Sequence, residues 1–382
     1  MRVVSLIASG TEIVHSNPFL ETFRWADRCR RWIGELLELA GPARSEAAHE
    51  VLFRDHPLSL RRYGEFETGA PVLLVPAPIK RGYLWDLLPE VSVVRRLLAH
   101  RLRVYLAYWE DPDAEGAHLG LEAYTDALLR CASTASRDCG GVPPVLIGHS
   151  LGGTLAVVAA ALEPSAAARL VLLGAPIDFA SRTGIIGFLA APGQNSCATL
   201  PDGNTPGSLL GTASFAADPV AFGLSRYLDG LSSMADPLRL RTHLAVERWA
   251  LDELPLPGRL LRDLLDLIRE NRFMTGSLSL RGRTVGPDAI QMPVLAVLDR
   301  QDTVATPETV VPFLRELRSP ENRLLWFSGE TGTSLRHVGP LVGPGAHALL
   351  WPRIIDWLGE PERMEIAVEV ATGAPCRPQS EV

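Results

Sequence analysis

The most constraining stretch of the sequence is a short apolar run that ends in a serine flanked by glycines. Residues 145–154 read Val-Leu-Ile-Gly-His-Ser-Leu-Gly-Gly-Thr, and an apolar, alanine-rich run continues to Leu162. This order predicts a buried strand, a sharp turn and a helix. Glycines two positions before and after Ser150 let strand and helix pass closely, while the helix N-terminus directs free N–H groups at the serine. The stretch therefore predicts a nucleophilic Ser150.

Further apolar runs alternate with helical patterns on both sides of this turn. The runs that predict strands cover residues 71–76, 103–108, 145–149, 170–174, 293–298 and 323–327. Such alternation is typical of a mostly parallel sheet with helices on both faces. Together with the G-x-S-x-G turn it predicts an α/β fold of the α/β-hydrolase type. We assign residues 61–178 and 291–358 to this core.

The segments outside the core have other patterns. Residues 1–60 are predicted as an N-terminal helical extension, with one amphipathic helix over 18–41 and a polar connector at 44–65. Residues 179–290 break the strand–helix alternation and predict a mainly helical lid over the site. Residues 359–382 are charged and then contain proline and serine, so they are predicted as a poorly ordered tail.

The lid is expected to keep water away from Ser150. The apolar positions that support this prediction are Phe215, Phe222, Leu231, Trp249 and Leu254. Its Gly/Ser-rich stretch, residues 193–214, is the expected first site of limited proteolysis.

Composition excludes several classes of function. A net charge of −7 without a Lys/Arg stripe argues against a nucleic-acid partner. No apolar run reaches about 18 residues, so no integral membrane segment is expected. The apolar run at residues 3–8 lacks a cleavage-site pattern and does not predict a signal peptide. Five scattered cysteines predict reduced thiols in a cytoplasmic protein, and the sequence predicts no metal site and no cofactor.

A serine nucleophile needs a base and a carboxylate that orients the base. In this fold they follow the serine in the order acid, then histidine. Asp302 lies just after the predicted strand at 293–298, and His337 lies on a loop after the strand at 323–327. We therefore predict the catalytic set Ser150, Asp302 and His337, with Asp299 as the alternative acid one turn earlier.

The other histidines are predicted to have no catalytic part. His149 is expected to point away from the base, and His347 is expected at the surface or at a helix cap. The remaining six lie on predicted helices or connectors without a second partner: His15, His49, His56, His100, His118 and His243.

An oxyanion hole is expected beside the serine. The first donor should be the backbone N–H of Leu151, the residue after the nucleophile. The second should come from the loop after the first core strand. Because Pro76 and Pro78 carry no N–H, either Ala77 or Ile79 must supply it, or the oxyanion hole is weaker than usual.

Several segments resemble one family, the polyhydroxyalkanoate synthases and their α/β-hydrolase relatives, over about residues 60–358. The similar segments are 75–87 ("PPxINKYYILDL"), 108–112 ("SWRNPD"), 174–179 ("TPVDF"), 247–252 ("E-x-W-x-x-D"), 271–276 ("N-x-L-x-x-G"), 302–307 ("DHIVPP") and 337–339 ("GHIG"). The resemblance implies acyl transfer from a 3-hydroxyacyl-CoA to a growing polyester, with residues 150, 302 and 337 as the triad.

The sequence departs from this family at two points. The synthases usually carry cysteine as the nucleophile, and Ser150 stands there, which favours hydrolysis or an altered substrate. The family asparagine of "PPxINK" is Lys80, and Pro78 occupies its partner position.

Three functions therefore stay open. The first is synthase-like acyl transfer through an acyl-serine on 3-hydroxyacyl thioesters or polyesters. The second is a serine esterase or polyhydroxyalkanoate depolymerase, and the third is a non-catalytic protein that binds polyester granules. The resemblance implies an acyl-CoA or hydroxyacyl ester as substrate, and it allows a polyester granule surface and a homodimer as partners.

Overall fold

A mixed sheet with helices on both faces forms the centre of the protein. The computed structural model describes residues 18–40, 44–64, 69–189, 191, 203–319, 321–328, 330, 336–359 and 369–370. The N-terminal run at residues 3–8 lies outside the described residues, as does the tail except for residues 359 and 369–370. The first half of the Gly/Ser-rich stretch at 193–214 is also outside them.

The described strands are β1 His49–Asp55, β2 Leu58–Tyr63, β3 Pro71–Val75, β4 Arg103–Trp109, β5 Val145–His149, β6 Arg169–Leu173, β7 Asn204–Thr205, β8 Leu256–Pro257, β9 Leu278–Leu280, β10 Arg283–Val285, β11 Val294–Leu298, β12 Arg323–Phe327 and β13 Glu369–Val370. The main sheet has the order β1-β2-β4-β3-β5-β6-β11-β12-β13. Its strands pair in parallel, except that β1 with β2 and β2 with β4 are antiparallel. The predicted, mostly parallel α/β fold is thus confirmed.

The described helices are α1 Pro18–Ala40, α2 Val93–Ala99, α3 Leu121–Asp138, α4 Leu151–Leu162, α5 Gly184–Leu189, α6 Gly207–Ala217, α7 Ser225–Ser233, α8 Pro237–Ala250, α9 Gly258–Arg269, α10 Val311–Glu316, α11 Gly339–Val342 and α12 Trp351–Gly359. Among these described helices, none is both long and apolar enough to span a membrane.

The central strands are buried on both faces. Every residue of β3 is buried, and the same holds for β5 and β11. Leu73 packs in one apolar layer with α3, α4 and α9, whereas Leu74 packs in the opposite layer with α2 and α12. Apolar residues at every position of a strand are what a sheet covered on both faces requires. These strands therefore form a rigid base for the loops at their carboxyl ends.

Residues 44–65 are a correction to the sequence analysis. The predicted polar connector contains the antiparallel hairpin β1–β2, which pairs with β4. Leu58 and Leu60 are fully buried, whereas edge strand β1 is largely exposed. Because charged residues cover the outer face, the alternation of apolar and polar residues is weak. The sheet therefore begins before residue 61, within the segment predicted as a helical extension.

Helix α1 packs against the insertion rather than standing apart from it. The described part of residues 179–290, the predicted lid, contains α5 to α9 and the short strands β7 to β10, so it is mainly helical. The Asp27 carboxylate of α1 accepts hydrogen bonds from the N–H groups of Gly207 and Ser208 at 3.2 and 2.7 Å. These are the first amides of α6, whose N–H groups have no partner inside the helix. Helix α1 thus packs against α6, and Arg30 of α1 also donates to the carbonyl of Ala250 at the end of α8.

Candidate active site

Ser150 lies between β5 and α4 in a strained backbone conformation. Its φ is +56° and its ψ is −135°, a region that non-glycine residues rarely adopt. Its N–H donates to the carbonyl of Leu173 at 3.1 Å, which ties the turn to β6. Strain of this kind persists only where the surroundings enforce it, and it is common at functional sites.

The glycines around Ser150 are required by close backbone contacts. A Cβ added at Gly148 would lie 2.4 Å from Cα of Gly153. A Cβ at Gly152 would lie 2.2 Å from the carbonyl oxygen of Val75, at the end of β3. Both distances are far below a normal van der Waals contact. The spacing read from the sequence therefore has a steric cause on both sides of the serine.

The structure brings His337 and Asp302 together. Nδ1 of His337 lies 2.6 Å from Oδ2 of Asp302. The other carboxylate oxygen of Asp302 accepts N–H groups from Val304 and Ala305 at 2.8 and 3.2 Å. These bonds fix the carboxylate so that it orients the imidazole ring through Nδ1.

Asp299, the alternative acid, lies in another environment. Its Oδ1 accepts the N–H of Gln301 at 2.9 Å, and its Oδ2 lies 3.8 Å from the guanidinium of Arg336. Asp302 is therefore the carboxylate that contacts the ring of His337.

Ser150 and His337 line the same cavity. Its volume is about 390 Å³, and most of its lining side chains are apolar. Nε2 of His337 is buried and has no hydrogen-bond partner among the described residues. An imidazole held at Nδ1 and free at Nε2 is arranged to take a proton from a nucleophile.

Residues within 179–290, the predicted lid, form much of the cavity wall. Phe215, Phe222 and Trp249 line it, as the sequence predicts. Leu254 is buried in the core instead. Leu231 is 48% exposed and is not among the residues that line the cavity. It lies on the outer face of α7, where one apolar residue in a helical repeat does not reveal which side the helix buries.

The candidate oxyanion donors lie beside the serine. Leu151, Ala77 and Ile79 all line the cavity. The carbonyl of Ala77 accepts the N–H of Lys80 at 3.2 Å, so the loop turns back on itself. Both Ala77 and Ile79 thus remain candidates for the second donor.

His149 is a correction to the sequence analysis. Its ring lies 4.6 Å from the ring of His337, and its Nε2 donates to the carbonyl of His337 at 2.8 Å. Burial, together with the nearby His337, lowers the pKa of His149 to about 3. A neutral His149 therefore fixes the backbone of the residue predicted as the base. The position of His149 next to Ser150 is the only sequence feature that could have indicated this contact with His337.

Gly174 is a second residue that sequence reasoning missed. It follows β6 with φ +52°, and an added Cβ would lie 3.2 Å from Cε1 of His337 and 3.3 Å from Oδ2 of Asp302. Any side chain at this position would therefore crowd the pair. A glycine directly after a central strand is the signal that could have indicated it.

Three charged residues form a cluster at the cavity wall. Lys80, Glu253 and Arg30 all line the cavity. Arg30 comes from α1, and the sequence carries no local signal that this helix reaches the site. Nothing in the described part of the chain groups three or more His, Cys, Asp or Glu side chains around a metal position.

Two further features lie away from the cavity: the contact between segments 174–179 and 271–276, and the side chain of His347. The side chain of Asn271 donates to Asp178 at 2.9 Å and accepts the N–H of Phe179 at 3.0 Å, which joins the segments 174–179 and 271–276. His347, expected at the surface or at a cap, is buried and donates to the carbonyl of Leu341 at 2.8 Å. Burial lowers its pKa to about 4.

Known proteins share both sequence and fold with this chain. A poly(3-hydroxyalkanoate) polymerase subunit PhaC from Haloferax mediterranei is 28% identical over 319 residues, which are 82% of this chain and 64% of the relative. The chain thus spans just under two thirds of that relative. The polymerase subunit from Allochromatium vinosum is 27% identical over 318 residues, 81% of this chain and 88% of that one. The predicted resemblance to polyhydroxyalkanoate synthases is confirmed.

Solved structures support the same fold. The enol-lactonase from Burkholderia xenovorans LB400 aligns with a TM-score of 0.50 and 16% identity, over 82% of this chain and all of that one. The sequence model of the α/β hydrolase fold matches residues 96–330, more than half of the chain. The strand order, the serine turn and this match together show that the chain belongs to the α/β-hydrolase fold family.

Proposed function

We propose that the protein is a polyhydroxyalkanoate synthase-like acyltransferase that acts on 3-hydroxyacyl thioesters. The observation that carries the proposal is the placement of Ser150 and the Asp302-bound His337 in one apolar cavity. The similarity of this chain to poly(3-hydroxyalkanoate) polymerase subunits over four fifths of its length supports 3-hydroxyacyl thioesters as the substrate class. Ser150 is the nucleophile, His337 the base and Asp302 the group that orients the base.

The reaction runs through an acyl-serine. Oγ of Ser150 attacks the thioester carbonyl and gives its proton to Nε2 of His337. The N–H of Leu151, with that of Ala77 or Ile79, stabilises the oxyanion. When the tetrahedral intermediate collapses, the C–S bond breaks and the imidazolium of His337 protonates the leaving thiolate. His337 then takes the proton of a hydroxyl acceptor, whose oxygen attacks the acyl-serine carbonyl. When this second tetrahedral intermediate collapses, the bond between the acyl carbon and Oγ of Ser150 breaks, the imidazolium of His337 returns the proton to Oγ, and the new ester is released.

The choice of acceptor depends on how well the cavity excludes water. Water and a hydroxyacyl terminus compete for the same acyl-serine. Phe215, Phe222 and Trp249 give the lid side an apolar surface that favours the hydroxyacyl chain. We treat residues 179–290 as a lid that opens to admit substrate, and an attached polyester would hold the enzyme at a granule surface.

A second candidate function is hydrolysis, as a serine esterase or polyhydroxyalkanoate depolymerase. The observation that favours it is Ser150 itself, which stands where the synthases usually carry cysteine. Both functions share the acylation step and differ only in the acceptor. The third possibility, a non-catalytic granule-binding protein, is disfavoured because His337 contacts Asp302 through Nδ1 and lines the same cavity as Ser150.

The test is incubation with 3-hydroxybutyryl-CoA, with free CoA, polymer and free acid measured together. We expect CoA release with polymer, and a loss of at least about three orders of magnitude in turnover for Ser150→Ala, because covalent catalysis disappears. Ser165→Ala, at an exposed serine, is the matched control and should keep wild-type turnover. CoA release with free acid alone would favour the hydrolase. Turnover that survives in Ser150→Ala would overturn the nucleophile assignment.

A further inference from the structure

The loop with the candidate oxyanion donors is attached to the lid. The N–H of Leu254 donates to the carbonyl of Ile79 at 3.2 Å, and Lys80 forms an antiparallel bridge with Glu253. Nζ of Lys80 donates to Oε1 of Glu253 at 2.9 Å and to the carbonyl of Ala250 at 3.3 Å. Backbone and side chain thus hold the loop to the same lid segment.

Helix α1 completes this attachment. The guanidinium of Arg30 donates to the carbonyl of Ala250 at 3.0 Å and lies 3.2 Å from Oε2 of Glu253. Two cations, from the extension and from the oxyanion loop, therefore share one carboxylate on the lid. We call Lys80, Glu253 and Arg30 the ion cluster.

Helix α6 is shaped to accommodate the carboxylate of the ion cluster. A Cβ added at Gly207 would lie 2.5 Å from Cβ of Glu253, and one at Gly211 would lie 2.9 Å from its Oε1. Larger residues at these positions would displace Glu253. The two glycines lie four residues apart, on the same face of the helix.

The charges around Lys80 come from each neighbouring element. Burial lowers the pKa of Lys80, Glu253 raises it, and Arg30 and Arg226 lower it. Arg226 of α7 is itself paired with Glu247 of α8 at 3.0 and 2.5 Å. Helix α6 contributes no ionisable residue. Among these charged groups, Glu253 is thus the one that favours the charged form of Lys80 in its half-buried position.

We propose that Lys80, Glu253 and Arg30 are positioning residues, which hold residues 76–80 against the lid so that the second oxyanion donor is in place when the lid is closed. The inference rests on the proposed function. It also gives Lys80 a role: the residue that departs from the family asparagine forms an ion pair that anchors the loop. One oxyanion donor is commonly worth about 10²–10³ in kcat, so loosening the loop should lower kcat more than it raises KM.

The test compares Glu253→Gln, Lys80→Met and Arg30→Met with Arg241→Met as the matched control. Arg241 lies on lid helix α8 and forms an exposed ion pair with Glu90, and neither residue lines the cavity. The assay is CoA release from 3-hydroxybutyryl-CoA as a function of pH, with thermal unfolding measured for each variant. We expect kcat to fall about 10–100-fold in Lys80→Met and Glu253→Gln, with KM within about threefold of wild type, and no change in Arg241→Met.

The pH profile separates positioning from a general structural effect. In the wild type, kcat should fall at high pH when Lys80 loses its proton and releases Glu253. Glu253→Gln removes the charge that raises the pKa of Lys80, so this fall should move to lower pH. Arg30→Met removes a charge that lowers it, so the fall should move to higher pH. Lys80→Met should show no such fall.

Arg30→Met retains the Lys80–Glu253 pair, so it tests the inference even where Lys80→Met or Glu253→Gln does not fold. The inference is overturned if kcat falls at the same pH in Arg30→Met, and in any other folded variant of the ion cluster, as in the wild type. It is also overturned if Lys80→Met has the kcat of the wild type. Failure of the proposed function is a separate result, because it would appear as turnover that survives in Ser150→Ala.

Discussion

Replacing Gly174 by alanine should damage the His337–Asp302 pair without touching substrate. Gly174 has φ +52°, and a left-handed conformation costs a non-glycine residue about 1–2 kcal/mol. The new Cβ would lie 3.2 Å from Cε1 of His337, where carbon atoms normally stay about 3.5–4.0 Å apart. The ring or the carboxylate must therefore move by roughly 0.3–0.8 Å. Since a 1 Å error in a reacting group costs about 100-fold, we expect kcat/KM to fall roughly tenfold.

A matched control separates backbone strain from crowding of the pair. Gly140 has φ +69°, and a Cβ at that position would meet no atom within 4 Å. Gly140→Ala should lose about the same 1–2 kcal/mol of unfolding free energy while kcat/KM stays at the wild-type value. Urea unfolding and CoA release from 3-hydroxybutyryl-CoA measure the two quantities. Equal kcat/KM in the two variants would refute the reasoning.

Three more predictions follow from the described contacts. Asp302→Asn should lower kcat by roughly 10³–10⁴, because the imidazole of His337 loses its orienting acceptor. Asp299→Asn should lower kcat less than about tenfold, and a larger loss in Asp299→Asn than in Asp302→Asn would reverse the two assignments. The unfolding free energy should fall as pH drops from about 6.5 towards 4. The reason is that burial holds the pKa of His149 at about 3 and that of His347 at about 4 in the folded protein. Below about pH 6.5, the ordinary pKa of histidine, the unfolded chain therefore binds more protons than the folded one. Urea unfolding at several pH values checks this, and a flat profile there would contradict it. Asp27→Ala should destabilise the protein by about 2–4 kcal/mol, because two amides of α6 lose their acceptor, and an unchanged melting temperature would argue against that contact.

The sequence predicted the parts of the site that depend on local patterns. The serine turn has a fixed strand–turn–helix sequence with glycines at fixed spacing, and the structure gives each glycine a steric reason. The strands at 71–76 and 293–298 were recognisable because strands buried on both faces are apolar throughout. Asp302 could be favoured over Asp299 because it lies further past the end of its strand.

The parts that were missed depend on contacts between distant segments. The hairpin β1–β2 lies at an exposed edge, so its apolar positions do not form a clear repeat. The contact between His149 and His337 joins residues 188 positions apart, and that between Arg30 and Glu253 joins α1 to the lid. Neither contact has a local signature in the sequence. They follow only when the packing of α1 and of the last loop is known.

The lid separates two neighbouring strands in the chain, and this has a consequence for synthesis on the ribosome. Strand β6 ends at Leu173, and its partner β11 begins at Val294, about 120 residues later. At a synthesis rate of about 5–20 residues per second, roughly 6–24 s pass between the synthesis of β6 and that of β11. During this time one edge of β6 is unpaired. An open apolar edge in a nascent chain can pair with other chains and aggregate. Slower translation through the lid should therefore raise the aggregated fraction of newly made protein, even though the finished sheet is unchanged.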